Sequence, residues 1–131
     1  MTPVKIVVAD DHDVVRAGVK TILQARPDWA ICGEAADGQE AVDQVQKLHP
    51  DVVILDVSMP RLNGLEAAEK IAQLQTDTRI LIFTMHDSKS IARAAEKAGA
   101  QGLVIKSYAA RDLIRALDVV LGGGSFFVPM M

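Results

Sequence analysis

The sequence has few aromatic residues, a single cysteine and no concentrated block of basic side chains. Only 4% of its 131 residues are aromatic while 50% are hydrophobic, so the core must consist mainly of Val, Ile, Leu and Ala. The lone Cys32 excludes a disulfide within the chain, which favours a reducing compartment. No apolar run approaches the roughly 18 residues that a membrane span needs. We therefore expect a cytoplasmic protein that has no membrane partner.

The charge distribution excludes a second class of function. The formal net charge is −3, and Lys and Arg residues are not clustered. Direct binding of nucleic acid is therefore not expected of this chain, because contacts to phosphates require clustered cations.

A length of 131 residues corresponds to one domain, and the glycine-rich stretch near the end suggests where that domain stops. We expect residues 1–121 to form the domain. Residues 122–131 begin with Gly-Gly-Gly-Ser and end on apolar residues, which is typical of the start of a linker to a further domain. The alternative is that these apolar residues fold back onto the domain.

Short apolar runs alternate with segments of helical periodicity along the whole chain. Because several runs are nearly continuous, they predict strands that are buried on both faces. Repeated strand–helix units with short connections predict an α/β fold, a doubly wound parallel sheet of five strands with five helices. The predicted strands occupy residues 4–9, 30–34, 52–55, 80–84 and 102–105.

Acidic residues follow two of these predicted strands. Asp10 and Asp11 follow the first strand, and Asp56 follows the third. If the strand order is 2-1-3-4-5, these two strands are neighbours and their carboxyl ends open a ligand-binding crevice. Two carboxylates about 5 Å apart repel by about 3 kcal/mol at an effective dielectric constant of about 20. A cation or raised pKa values must offset this repulsion, and an all-oxygen ligand set favours Mg²⁺.

Two further polar residues extend the same predicted edge of the sheet. Thr84 ends the fourth strand and Lys106 follows the fifth. A hydroxyl and an ammonium group beside three carboxylates and a divalent cation indicate phosphate chemistry.

The residues around these strand ends resemble a known family. The strings VVADDHDVVRAG, VVILDVSMPRLNG, ILIFTMHD and AGAQGLVIK are similar to the receiver domain of two-component response regulators. The resemblance is greatest to the subfamily that also carries a C-terminal helix-turn-helix DNA-binding domain, and it extends from about Lys5 to Val120. It implies a flavodoxin-like fold with the strand order 2-1-3-4-5.

The resemblance also implies roles for individual residues. Asp56 would accept a phosphoryl group from a sensor histidine kinase. Asp11 and Asp56 would ligate Mg²⁺ together with the backbone carbonyl of Ser58, and Asp10 would act through a water molecule. Lys106 would pair with the phosphate oxygens, and Thr84 would form a hydrogen bond to the phosphoryl group.

The implied function is a phosphorylation switch rather than an enzyme with an external substrate. The chain would catalyse only its own phosphorylation and dephosphorylation. Its conformational change would control transcription through a DNA-binding domain that is not in this chain, and a homodimer that forms on phosphorylation is consistent with the resemblance.

One departure from the family pattern keeps alternatives open. Leu103 stands three residues before Lys106, where many members carry Tyr or Phe as part of the switch. A degenerate receiver that acts only as an interaction module is therefore an alternative. A phosphohydrolase with an aspartyl nucleophile is a weaker one, because such enzymes usually carry a second Asp at the position that Ser58 occupies.

Overall fold

The computed structural model describes residues 3–74 and 76–127 and shows the predicted alternation of strands and helices. The strands are β1 (Val4–Ala9), β2 (Trp29–Ala35), β3 (Val52–Asp56), β4 (Arg79–Thr84), β5 (Gly102–Ile105) and β6 (Phe126–Phe127). The helices are α1 (Asp13–Leu23), α2 (Gly38–Leu48), α3 (Gly64–Gln73), α4 (Lys89–Lys97) and α5 (Ala109–Leu121). A short 3₁₀ helix, Lys106–Tyr108, precedes α5.

All the strands pair in parallel, in the order β2-β1-β3-β4-β5-β6. The flavodoxin-like α/β fold is confirmed, including the adjacency of β1 and β3. The prediction of five strands is wrong, because the tail adds β6 beside β5. A strand of two residues has no hydrophobic period, so the sequence pattern could not reveal it.

The path of the tail explains how β6 forms. After α5, Gly123 adopts a φ of +93°, a backbone conformation that side chains disfavour, and it lets the chain turn. The backbone N–H of Phe126 then donates to the carbonyl of Gln101 at 2.9 Å. Phe126 pairs with Gly102, and Phe127 with Leu103. These two Phe residues thus fold back onto the domain, whereas residues 128–131 lie outside the described residues and the linker stays a prediction.

Apolar residues cover both faces of the sheet, as near-continuous apolar strands require. All five residues of β3 are buried, and its side chains alternate between the two faces. One face packs against α2, α3 and α4, and the other packs against α1 and α5. Among the described residues, none of the helices combines the length and the apolar content that crossing a bilayer demands.

Candidate metal centre

The ends of β1 and β3 bring the three predicted carboxylates together. Asp10 directly follows β1, and its backbone N–H donates to the carbonyl of Ala35 at 3.0 Å, which fixes the chain at this point. One ligand atom from each of Asp10, Asp11, His12 and Asp56 lies within 4.8 Å of the others. The predicted convergence of Asp10, Asp11 and Asp56 is therefore present.

The loop behind Asp56 closes only because α3 starts with a glycine. A Cβ atom at Gly64 would lie 2.0 Å from the carbonyl oxygen of Asp56, well inside any tolerable contact. The backbone N–H of Gly64 instead donates to the carbonyl of Val57 at 3.0 Å. The start of α3 thus packs directly on the backbone of Asp56, which is buried.

Lys106 joins the two buried carboxylates. Its Nζ lies 2.7 Å from Oδ2 of Asp10 and 3.0 Å from Oδ1 of Asp56. Burial alone would lower the pKa of Lys106, but hydrogen bonds to Asp10 and Asp56 raise it above its ordinary value. Lys106 is therefore a permanent ammonium ion at neutral pH.

The ionised form of the Asp56 carboxyl group remains disfavoured in spite of this ion pair. Burial raises its pKa, and the negative charge of Asp10 adds to the effect. Lys106 and the backbone of Ser58 act in the opposite direction without cancelling it. The second carboxylate oxygen, Oδ2, is buried and has no hydrogen-bond partner within residues 3–74 and 76–127. Burying an oxygen without a hydrogen-bond partner reduces the stability of the folded state, and such an oxygen is suited to bind a cation or to react.

His12 belongs to the same cluster, although the sequence interpretation did not include it among the ligands. Its Nδ1 lies 2.9 Å from Oδ1 of Asp10 and 3.1 Å from Oδ1 of Asp11. The hydrogen bond to Asp10 raises the pKa of His12, and the charge of Asp11 adds to this. The signal in the sequence was its position directly after Asp11. A protonated imidazole here would compete with a metal ion for the same carboxylates.

Thr84 and Ser58 lie at the predicted edge of the sheet. Thr84 is the last residue of β4, is buried, and accepts a hydrogen bond through Oγ1 from the backbone N–H of His86 at 3.1 Å. The preceding residue, Phe83, pairs with Asp56 across the sheet. Ser58 is exposed, two residues after Asp56. The roles assigned to Thr84 and to the Ser58 carbonyl stay predictions.

Leu103, where the family pattern often has an aromatic ring, is buried in β5. It pairs with Phe127 of the tail, and both side chains pack on the α4 side of the sheet. An aromatic side chain is therefore present next to this position, but the C-terminal tail supplies it.

The residues of the cluster fit a hard divalent cation. Three carboxylates and the Lys106 ammonium leave two negative charges when His12 is neutral, and one divalent ion balances them. Oxygen donors that include an unsatisfied buried oxygen are the ligand type that Mg²⁺ prefers. Mg²⁺ retains several water ligands, so it does not need a complete cage of protein atoms.

Comparison with known families identifies the class of protein that this fold and cluster represent. Residues 6–118 match the family described as the response regulator receiver domain. The chain therefore belongs to this family, a class of signalling domain in two-component systems.

Curated relatives of the chain include transcriptional and oxygen regulatory proteins. The chain is 38% identical over 126 residues to the transcriptional regulatory protein DegU of Brevibacillus brevis, covering 96% of this chain and 53% of that protein. It is 41% identical over 128 residues to the oxygen regulatory protein NreC of Staphylococcus carnosus, covering 97% and 59%. The chain thus spans a little over half the length of these relatives.

Solved structures agree with this placement. A two-component response regulator of the LuxR family from Aurantimonas sp. SI85-9A1 superimposes with a TM-score of 0.91 at 38% identity, covering 97% of this chain and 91% of that one. The receiver domain of the response regulator NarL from Mycobacterium tuberculosis gives a TM-score of 0.89 at 31% identity, with coverage of 94% and 99%.

Proposed function

We propose that this receiver is a phosphorylation-dependent switch in which Asp56 accepts a phosphoryl group from a sensor histidine kinase in the presence of Mg²⁺. The observation that carries the proposal is the buried Oδ2 of Asp56, which has no hydrogen-bond partner among the described residues and lies in a carboxylate cluster beside the ammonium of Lys106. A buried oxygen with no structural partner is the expected form of a reacting or metal-binding group.

The metal ion would be held by Asp11, Asp56 and the backbone carbonyl of Ser58, with Asp10 acting through a water molecule. When bound, Mg²⁺ supplies charge neutralisation and Lewis-acid polarisation of the transferring phosphoryl group. Binding of the ion requires the same carboxylate oxygens that His12 contacts on Asp10 and Asp11. His12 must therefore move away from both carboxylates or lose its proton.

Phosphoryl transfer itself uses few side chains. A carboxylate oxygen of Asp56 attacks the phosphorus atom of a phosphohistidine, the P–N bond breaks, and the imidazole of the kinase leaves. The product is an acyl phosphate on Asp56. Lys106 lies close enough to Asp56 to pair with the new phosphate oxygens, as a compact point charge does well. The Thr84 hydroxyl, at the end of the neighbouring strand, donates a hydrogen bond to the same group.

The consequence of phosphorylation is a change of conformation rather than the turnover of a metabolite. The added group brings close to two negative charges, which draws Lys106 and Thr84 towards position 56 and shifts the ends of β4 and β5. Transcriptional output would follow through a DNA-binding domain outside this chain. Homodimerisation on phosphorylation is one route to that output. The protein would act in the cytoplasm. The chain would act on no external substrate.

One observation favours a second candidate, a receiver that serves only as an interaction module. Leu103 replaces the aromatic residue that often takes part in the switch, so coupling between the crevice and α4 has a different basis. The complete set of Asp10, Asp11, Asp56, Thr84 and Lys106 favours the phosphorylated switch. A module that only binds partners does not need a buried carboxylate oxygen such as Oδ2 of Asp56, which has no hydrogen-bond partner within residues 3–74 and 76–127.

Incubation with acetyl phosphate and Mg²⁺, followed by intact mass spectrometry, tests the proposal. We expect a mass increase of one phosphoryl group that disappears with EDTA and in Asp56→Asn. Asp43→Asn, on the exposed surface of α2, is the matched control and should still be modified. A chain that gains no mass under these conditions is the interaction module, whereas rapid hydrolysis of diverse phosphate esters would indicate a hydrolase.

A further inference from the structure

Arg16 makes an unusual set of contacts for a helix residue near the protein surface. Its side chain is 16% exposed, and its guanidinium group reaches three acceptors on different parts of the chain. Nη1 donates to the backbone carbonyl of Asp10, Nη2 to the carboxylate of Asp13, and Nε to Oε1 of Glu34 at 3.0 Å. The group thus joins the first turns of α1, the strand β2 and the residue that follows β1.

The contact to Asp10 is the informative one, because it fixes backbone rather than side chain. The Asp10 carboxylate already accepts hydrogen bonds from His12 and Lys106. Arg16 holds the peptide group between Asp10 and Asp11, and the orientation of this peptide determines where the Asp11 side chain points. Asp11 is exposed, and its carboxylate contacts the imidazole of His12, which is itself exposed.

We propose that Arg16 is a positioning residue for the metal centre: by holding the Asp10 carbonyl against β2 through Glu34, it keeps the Asp11 carboxylate directed at Asp56 and so increases the affinity for Mg²⁺. This inference rests on the proposed function, because it assumes that these carboxylates bind the ion. Residues that orient metal ligands without touching the metal typically change its affinity by about 10–100-fold when they are replaced.

The geometry requires arginine rather than any cation. The planar guanidinium presents five N–H donors in a fixed arrangement, so it can bind acceptors on three sides at once. The substitution Arg16→Lys would keep the positive charge but would offer a single flexible ammonium group. That variant is therefore not expected to hold the Asp10 carbonyl and Glu34 together.

Lys20 is a matched control within the same helix. It lies one turn after Arg16 and pairs with the same carboxylate, Glu34, through Oε2. The hydrogen bond from Lys20 is the main reason that the pKa of Glu34 is lowered, and Arg16 adds to it. Lys20 has no contact to Asp10 among the described residues. Replacing Lys20 therefore removes the same charge and disturbs the same acid without releasing the metal-binding loop.

The experiment measures the Mg²⁺ dissociation constant by isothermal titration calorimetry for the wild type, Arg16→Met, Arg16→Lys and Lys20→Met. We expect Arg16→Met to weaken binding about tenfold or more, and Arg16→Lys to weaken it nearly as much. Lys20→Met should change the constant less than about threefold. Melting temperatures in EDTA separate a general loss of stability from a specific loss of affinity.

A second readout separates positioning from folding and covers the case in which Arg16→Met does not fold. The rate of phosphorylation of Arg16→Lys by acetyl phosphate should be low at limiting Mg²⁺ and return close to the wild-type rate at saturating Mg²⁺. A rate that stays low at saturation would overturn the proposal, because the defect would then not be one of metal affinity.

Two other results would contradict the inference. If the Arg16 variants bind Mg²⁺ as tightly as the wild type, Arg16 does not position the loop, and the proposed function still stands. If Lys20→Met loses as much affinity as Arg16→Met, the effect is only one of net charge. A wild-type chain that binds no Mg²⁺ would remove both the proposed function and this inference.

Discussion

Two aspartates are buried, Asp56 in the crevice and Asp112 in the first turn of α5, and their pKa values are shifted in opposite directions. Asp56 is 2% exposed and Asp112 is 4% exposed. The pKa of Asp56 is raised, chiefly by burial, while the pKa of Asp112 is lowered, chiefly by its hydrogen bonds to Arg111. The difference shows that burial alone does not determine the state of a carboxyl group, because the partners decide whether the charge is tolerated.

The two carboxylates differ in the cations and hydrogen-bond donors that surround them. Both oxygens of Asp112 accept hydrogen bonds from Arg111, at 2.9 and 3.1 Å, and Arg115 lies 3.6 Å away. Asp112 also lies near the N-terminus of a helix, where the macrodipole favours negative charge. Asp56 shares its one cation with Asp10 and leaves an oxygen unpaired among the residues that the structure describes. The satisfied oxygens of Asp112 fit a structural role, whereas the unsatisfied oxygen of Asp56 fits the proposed role in binding and reaction.

The largest expected difference between the two regions is their response to Mg²⁺. A ligand at ten times its dissociation constant stabilises the protein that binds it by about 1.4 kcal/mol. The wild type and Asp112→Asn should both gain this stabilisation, seen as a higher melting temperature, because Asp112 takes no part in binding. Asp56→Asn should lose most of it. Differential scanning fluorimetry with Ca²⁺-free MgCl₂ measures the effect, and an equal response in Asp56→Asn would place the ion elsewhere.

In metal-free buffer Asp112→Asn should destabilise the protein, whereas Asp56→Asn should not. Asp112→Asn breaks charge-assisted hydrogen bonds, and because Arg111 is largely exposed we expect a loss of only about 1 kcal/mol. Asp56→Asn removes a buried charge that Asp10 repels, so it should be neutral or stabilising. Urea denaturation in EDTA gives both free energies of unfolding. A clear destabilisation by Asp56→Asn would mean that the Lys106 ion pair outweighs burial.

The same contrast predicts opposite pH dependences in EDTA. The folded-state pKa of Asp56 is raised, so the folded state holds the proton longer and stability falls as pH rises from the unfolded value of about 3.9 through the folded pKa. The folded-state pKa of Asp112 is lowered, so its contribution is present above about pH 3.9 and is lost as pH falls through the folded pKa.

Difference curves isolate these contributions. The free energy of unfolding of the wild type minus that of Asp56→Asn should decrease as the pH rises above about 3.9. The corresponding curve for Asp112→Asn should increase with rising pH below about pH 3.9 and then level off. Two curves of the same sign would refute the contrast. Replacing His12 with Gln in both backgrounds removes the titration of the imidazole that contacts Asp10 and Asp11.

The smallest expected effect concerns the edge strand β6, which has only two residues. Phe127 is only partly buried in a strand of two residues, so Phe127→Ala should cost about 0.5–1 kcal/mol. It should leave the Mg²⁺ response intact. Thermal melts with and without Mg²⁺ measure both quantities, with Phe127→Leu as the conservative control. Loss of the Mg²⁺ response would show that the tail and the crevice are coupled through Leu103.

The sequence was most informative where backbone order alone determines position. Residues at the carboxyl ends of parallel strands share one edge, and the family resemblance implies a strand order in which β1 and β3 are neighbours. The convergence of Asp10 and Asp56 could therefore be predicted. The contacts of His12 and Arg16 could not, because they depend on which rotamers long or polar side chains adopt after folding.

The tail and Asp112 are two further features that the sequence pattern could not predict. Pairing of Phe126 and Phe127 with β5 depends on the turn at Gly123 and on the open edge of the sheet, neither of which a two-residue pattern encodes. Asp112 follows Arg111 directly, which in a helix does not usually predict contact between side chains. Only the packing of α5 shows that this carboxylate is buried and this pair is formed.

The most direct test of the central claim locates the phosphoryl group. The chain is incubated with acetyl phosphate and Mg²⁺, treated with borohydride, which reduces an aspartyl phosphate to homoserine, and digested for peptide sequencing by mass spectrometry. The account predicts homoserine at position 56 in a Mg²⁺-dependent manner, with Asp10, Asp11 and Asp112 unchanged. Reduction at another aspartate, or at none while Mg²⁺ binds normally, would contradict it.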